Sequence, residues 1–166
     1  MSGARKILVF GGMALATFGM LYGLYYAVFV EHQTLDRMGG SLATSFVQAA
    51  GGNWEESEGA LISYREAKYD YVRQVDVHSH WIGLAMLMIV LGVIFDEIAF
   101  PERVRFWIAL VLLIGSIVFP SGVLLQTVNH DQMSSVVGGS ILAVLGSALV
   151  IAALAAVAVG FARQKA

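Results

Sequence analysis

Residues 81–100 read WIGLAMLMIVLGVIFDEIAF. Between Trp81 and Phe95 there is no charged side chain and no proline, and the first charges, Asp96 and Glu97, come at the far end. A helix of roughly 20 apolar residues, rising about 1.5 Å per residue, is long enough to cross the roughly 30 Å hydrocarbon core of a bilayer. A helix also satisfies its own main-chain polar groups, which a lipid solvent requires. Working outward, three further runs have the same character: residues 7–30, 106–128 (with Pro120 inside) and 136–161. The first follows Arg5 and Lys6, as a signal peptide would. It is longer than the roughly 7–15 residues of a cleavable apolar region, and no small-x-small site closes it, so it is expected to be retained. The expectation is an all-α integral membrane protein: one membrane domain over residues 1–166, built as a four-helix bundle in contact with the lipid bilayer.

Composition agrees. Hydrophobic residues make up 58% of the chain and charged residues 13%, against about a quarter charged in ordinary soluble domains. With no cysteine, a disulfide scaffold, a thiolate metal site and thioether-attached haem are excluded. No basic patch suggests nucleic acid. There is no G-x-S-x-G, Walker or H-E-x-x-H sequence. The few charges inside the spans make a poor case for a channel or a pump.

Charge also predicts orientation. Arg5, Lys6, Arg103, Arg105, Arg163 and Lys165 flank the chain ends and the short connection near residues 101–105. The long segment 31–79 has only Arg37, Arg65, Lys68 and Arg73 against Glu31, Asp36, Glu55, Glu56, Glu58, Glu66, Asp70 and Asp76. The positive-inside rule then puts both termini in the cytoplasm and residues 31–79 outside an inner or plasma membrane.

That outer segment is too long to be a structureless loop. Leu35, Met38, Leu42 and Phe46 recur at helical spacing, predicting an amphipathic helix near 33–49. Gly51-Gly52 breaks it, and Asn53 can cap a second helix with Glu55 and Glu56 in its first turn. In that helix Leu61, Tyr64, Ala67, Tyr71, Val75, His78 and Ile82 form one stripe, so it should run straight into the second span. The helical segment outside the membrane therefore covers about residues 33–75. Within the spans, Gly19, Gly23 and Ala27, then Gly139, Ala143 and Ser147, then Ala152, Ala156 and Gly160, stand four apart and predict close helix contacts.

The four histidines carry the functional expectation. His32 ends the first span, His78 and His80 open the second, and His130 follows the third. Three helices thus bring imidazoles to one membrane level, with Glu31, Asp76, Gln126, Asn129 and Asp131 beside them. Imidazole ligates metals and haem iron, and bundles build cofactor sites from facing helices. Asp76 precedes His80 by four residues, so it can orient that ring, and Gln126 is a second supporting group. His78 and His80 stand about 200° apart on a helix, so they do not readily share one ion. Phe18, Tyr22, Tyr25, Tyr26, Phe29, Trp81 and Phe95 suit an interfacial belt, a core, or the wall of a haem or quinone pocket. Pro120 one or two turns before Gln126 and His130 is expected to kink the third span.

Residues 75–84, VDVHSHWIGL, resemble the opening of haem-binding helices in membrane b-type cytochromes and in proteins similar to the haem–copper oxidase large subunit. The resemblance covers about ten residues. It implies an axial imidazole from His78 or His80 near the outer surface, a haem held in the bundle, and electron exchange with quinol or an extracytoplasmic carrier. His130 is the candidate opposite ligand by geometry.

Two functions stay open. One is a small redox protein or redox-complex subunit with haem b, or a copper or iron ion, on His32, His78, His80 and His130, with a quinone as a further candidate cofactor. The other is a non-catalytic accessory or assembly subunit that docks other membrane subunits through its outer helices.

Overall fold

The computed structural model describes residues 1–127 and 133–163. It is all-helical. The helices are α1 (Gly3–Phe29), α2 (Glu31–Ala50), α3 (Trp54–Ile94), α4 (Glu102–Leu125) and α5 (Met133–Ala162), with a 3₁₀ turn at Phe95–Glu97. Helices α1, α3, α4 and α5 are each long and apolar enough to cross a membrane.

Ser2 caps α1 by accepting the Arg5 amide at 3.2 Å. At the other end the helix is bent rather than stopped. Val30 adopts φ −119°, yet its amide still reaches Tyr26 O at 2.9 Å and its carbonyl still accepts Thr34 N at 3.1 Å. The hydrogen-bond ladder thus passes from α1 into α2 through Val30.

The turn between α2 and α3 is a Schellman motif. Asn53 N reaches back to Gln48 O at 2.9 Å and Gly52 N to Ala49 O at 3.1 Å, with Gly52 left-handed at φ 78°. Asn53 does not cap α3 with its side chain. Its amide instead donates to Gln48 Oε1 at 2.8 Å, so it stabilises the end it follows rather than the start it precedes.

Helix α3 runs unbroken for 41 residues, about 60 Å at 1.5 Å per residue. The 24 residues of α4 reach about 36 Å. The difference is the hairpin that α2 makes with the first half of α3. It is zipped by Ser45 and Ser57, both buried, whose hydroxyls lie 3.0 Å apart. The Arg37–Asp70 ion pair at 3.2 Å joins its base.

Helices α1, α3 and α4 pack against one another, while α5 packs along α4 and makes no comparable contact with α1 or α3 among the described residues. The expected bundle is thus a three-helix core with α5 buttressing one side. The reason lies in the seam. Among the described residues of α5, Gly139, Ala143, Gly146, Val150, Ala153, Val157 and Gly160 are the buried positions, alternating four and three apart. That spacing makes one narrow stripe suited to a single partner. A Cβ on Gly122 would overlap the main chain of Ala143, and one on Gly146 that of Phe119. Of the ridges expected at strict spacing of four, Ser147 is half-buried, while Ala152 and Ala27 face outward. Gly19 and Gly23 do pack, both on α3.

At the end of the molecule holding Gly3 and Ala162, Asp96 gathers the chain. Its carboxylate takes Ser2 Oγ–H, and Arg5 and Arg105 approach it at 3.8 and 3.7 Å. Arg105 also donates to Asp96 O at 2.7 Å. The connection then docks on α5, where Ala99 N donates to Gly160 O at 3.3 Å.

Candidate functional site

At the opposite end, where the hairpin leaves the three-helix core, a polar layer crosses the molecule. Gln74 is its centre. Its side-chain oxygen accepts from Tyr22 OH on α1, and its side-chain nitrogen donates to Thr127 Oγ1 at 2.9 Å. Tyr69 OH reaches toward Gln126 Oε1 and Tyr71 OH toward Glu31 Oε1, each at 3.4 Å. A polar cavity of about 390 Å³ lies in this layer, walled by Gln33, Thr34, Arg37, Asp70, Gln74 and Thr127.

The described histidines fall around this layer without meeting. His78 sits one turn below Gln74, half-buried between α3 and α1. Its Nδ1 lies 3.0 Å from Gly19 O, and its ring occupies the space that a side chain at Gly23 would need. His80 lies on a different face of α3, its ring edge-on to Phe119 of α4 at 4.7 Å. Its Nδ1 is 2.5 Å from Asp76 O. His32 is exposed on α2 and approaches Asp36 at 3.4 Å. Among the described residues, no group of three or more His, Asp or Glu is placed to hold a metal ion. His130, Asn129 and Asp131 lie outside the described residues.

Asp76 does contact His80, but through its main-chain oxygen; its carboxylate lies 3.8 Å from Arg73. Gln126, which caps the end of α4, is buried against Gly139 of α5, with Tyr69 OH 3.4 Å from its oxygen. Both main-chain contacts to histidine have one chemical consequence. A carbonyl oxygen only accepts, so Nδ1 of each ring carries the proton and Nε2 holds the lone pair of the neutral ring. This is how a protein commonly orients an imidazole ligand or base.

The aromatics divide between belt and core. Tyr25 and Phe29 are exposed, whereas Tyr26 and Trp81 are buried. The Trp81 indole stands edge-on to Phe18 at 4.8 Å and to Tyr22 at 5.1 Å.

Sequence reasoning missed Gln74, Tyr22 and Thr127 as the polar layer. A signal existed for the first: Gln74 stands four residues before His78, so both project toward α1. The apolar stripe expected along α3 passes through Val75, which is exposed. The buried positions below the layer are Val77, Trp81, Ala85, Met88 and Gly92. The stripe shifts because the helix changes partner there, from α2 to α1 and α4.

A second candidate is the outer face of α2. From Met38 to Trp54 the sequence MGGSLATSFVQAAGGNW has no charged residue. Met38, Leu42, Ser45 and Ala49 turn toward α3. The other side shows Gly39, Gly40, Ala43, Phe46, Val47 and Ala50, all exposed. No atom would lie within 4 Å of a Cβ at Gly39 or Gly40. Comparison of the chain with protein-family models, with curated proteins and with solved structures found no match in any of the three.

Proposed function

We propose that the protein is a non-catalytic accessory subunit of a membrane complex, and that the outer face of α2 is its docking element. One observation carries this reading: a helix without charge over its distal half projects beyond the apolar spans with one face bare. Phe46 and Val47 are each 69% exposed, and Trp54, which opens α3 just past the turn, is 72% exposed. An exposed helix face that carries large apolar side chains and no charge is what an interaction surface presents. Adjacent glycines within a helix cost about 1 kcal/mol each relative to alanine. Gly39 and Gly40 gain no close contact within this chain in return, which fits a neighbouring helix from another chain. With the positive-inside orientation, the docking face lies outside the cytoplasm, and the partner is a membrane subunit exposing a helix or groove on that side.

The test is a photo-crosslinker at Ala43 or Val47, used in native membranes. The reading expects one adduct of defined mass with another membrane protein, lost in Ala43→Glu while the protein still inserts. Migration at the mass of a single copy in mild detergent, with no adduct from either position, would overturn it.

A second reading, a haem- or metal-binding redox subunit, is favoured by a separate observation. His78 and His80 both have Nδ1 engaged by a main-chain carbonyl, which leaves Nε2 as the ligating nitrogen. Beside His80 there is also a hollow of about 280 Å³ over Gly83, where no side chain intrudes. Haem b would supply electron transfer on His80, with His78, His130 and His32 as the other candidate ligands. A copper or iron ion, or a quinone near the polar layer, is the variant of this reading without haem. Purified protein with a Soret band that disappears in His80→Ala or His78→Ala would establish it. A colourless, metal-free preparation from native membranes would remove it.

A further inference from the structure

We propose that the cleft between α1, α3 and α4 binds an apolar, membrane-soluble molecule through a carbonyl-type oxygen that accepts the Trp81 indole N–H. The cleft has a volume of about 520 Å³, within the range of small-molecule sites. Gly11, Ala14 and Phe18 form its α1 wall, Leu113 and Ile117 its α4 wall, and Trp81 lines it from α3. All three helices are long and apolar enough to cross a membrane. Ala14, Phe18 and Ile117 are exposed, so the mouth opens sideways at the level of the apolar spans and an occupant enters from the bilayer.

The donor singles out the occupant. Trp81 is 2% exposed, and its Nε1–H is buried without a hydrogen-bond partner among the described residues. Buried indole N–H groups ordinarily have a partner, because an unmade bond costs the full desolvation of the donor. The two rings that meet the indole edge-on supply none: Phe18 has no acceptor atom, and the Tyr22 hydroxyl is engaged with Gln74. Across the cleft, Ser121 is the only other polar side chain on the lining, and its hydroxyl donates to Ile117 O at 2.7 Å. No lining residue is charged. The side chains of the cleft thus hold one unused donor in an apolar wall. A single acceptor on an apolar body matches that wall. A hydrocarbon would leave the N–H unpaired, and an ion or a sugar would bring polar groups that the wall cannot meet. This inference is independent of the reading of α2 and of the histidines.

The test uses the full chain in dodecyl maltoside, a detergent without a carbonyl group, and two probes of nearly the same shape, fluorenone and fluorene, which differ in a C=O against a CH₂. Indole N–H resonances are followed by NMR, with Trp54 and Trp107, 72% and 62% exposed, as internal references. Fluorenone should move the Trp81 resonance downfield and bind about tenfold more tightly than fluorene. That preference should vanish in Trp81→Phe, which keeps an aromatic ring and removes the donor. Ala14→Phe, or Ile117→Phe should the first not insert, fills the mouth and should abolish the response to both probes. In lipid nanodiscs, a downfield shift with ester-linked but not ether-linked phosphatidylcholine would assign the acceptor to a lipid ester; no shift with either would assign it to a free carbonyl compound. Equal binding of the two probes, a preference for fluorenone that survives Trp81→Phe, or a Trp81 resonance that neither probe moves would overturn the proposal.

Discussion

At Gly23 the missing side chain is what admits the His78 ring between α1 and α3. Gly23→Val should either push the ring out or separate the helices. Overpacking of this kind destabilises by about 1–3 kcal/mol, readable as a fall in Tm in mild detergent. Gln74 holds three helices through two short-range partners, Tyr22 and Thr127. Gln74→Leu leaves both without it and should lower stability by about 1–3 kcal/mol, with earlier exchange of amides at the ends of α1 and α4. The histidines show how little of this level the residue types disclosed. The sequence placed all four near one end of the helices; of the described three, His78 and His80 lie near the polar layer and His32 on the exposed side of α2. Which way each described ring turns was not legible, because Gly19 O and Asp76 O are main-chain acceptors and leave no trace in residue identity.

Among elements, the α4–α5 pair is the most sharply specified. Its buried positions alternate four and three apart, and several of them are glycines whose main chains touch the partner. In a bilayer such contacts replace the hydrophobic drive, since lipid is as apolar as the helices. Gly146→Val should therefore detach α5 from α4, while Gly138→Val, where a side chain would meet open space, should leave the pair intact. A fall in Tm in mild detergent reports the difference: little change in the Gly138 variant and a clear loss in the Gly146 variant, where the added side chain would meet the main chain of Phe119. The sequence reading found small residues on this helix but counted them at intervals of four. The true seam needed the partner's ridge to define it. The α2–α3 turn was easier, since Gly51-Gly52 is followed at once by Asn53, whereas Gly39-Gly40 passes inside α2 without breaking it. Even so, Asn53 serves the helix before it rather than the one after.

The whole molecule is a three-helix core with a buttress at its side and a hairpin standing beyond the spans. The proposed orientation is open to a direct check, because the chain contains no cysteine. A cysteine at Ala50 should react with a membrane-impermeant maleimide on intact cells. One at Arg103 should react only after permeabilisation. The reverse pattern would place the hairpin in the cytoplasm and move its partner to that side.

The amino-acid order alone determined that the protein is all-helical, with four stretches suited to lipid and a helical segment between the first two. Those properties depend on local composition and length: lipid accepts any run of roughly 20 apolar residues that closes its own hydrogen bonds. Tertiary structure decided which faces meet. It set α5 against α4 and the connection at residues 98–100, turned His78 to α1 and His80 to α4, and left one side of α2 bare. Each of those outcomes depends on the shape of a neighbour far away in sequence, such as a glycine opposite a ring or a carbonyl opposite a nitrogen. A run of apolar residues looks the same whichever neighbour it will meet.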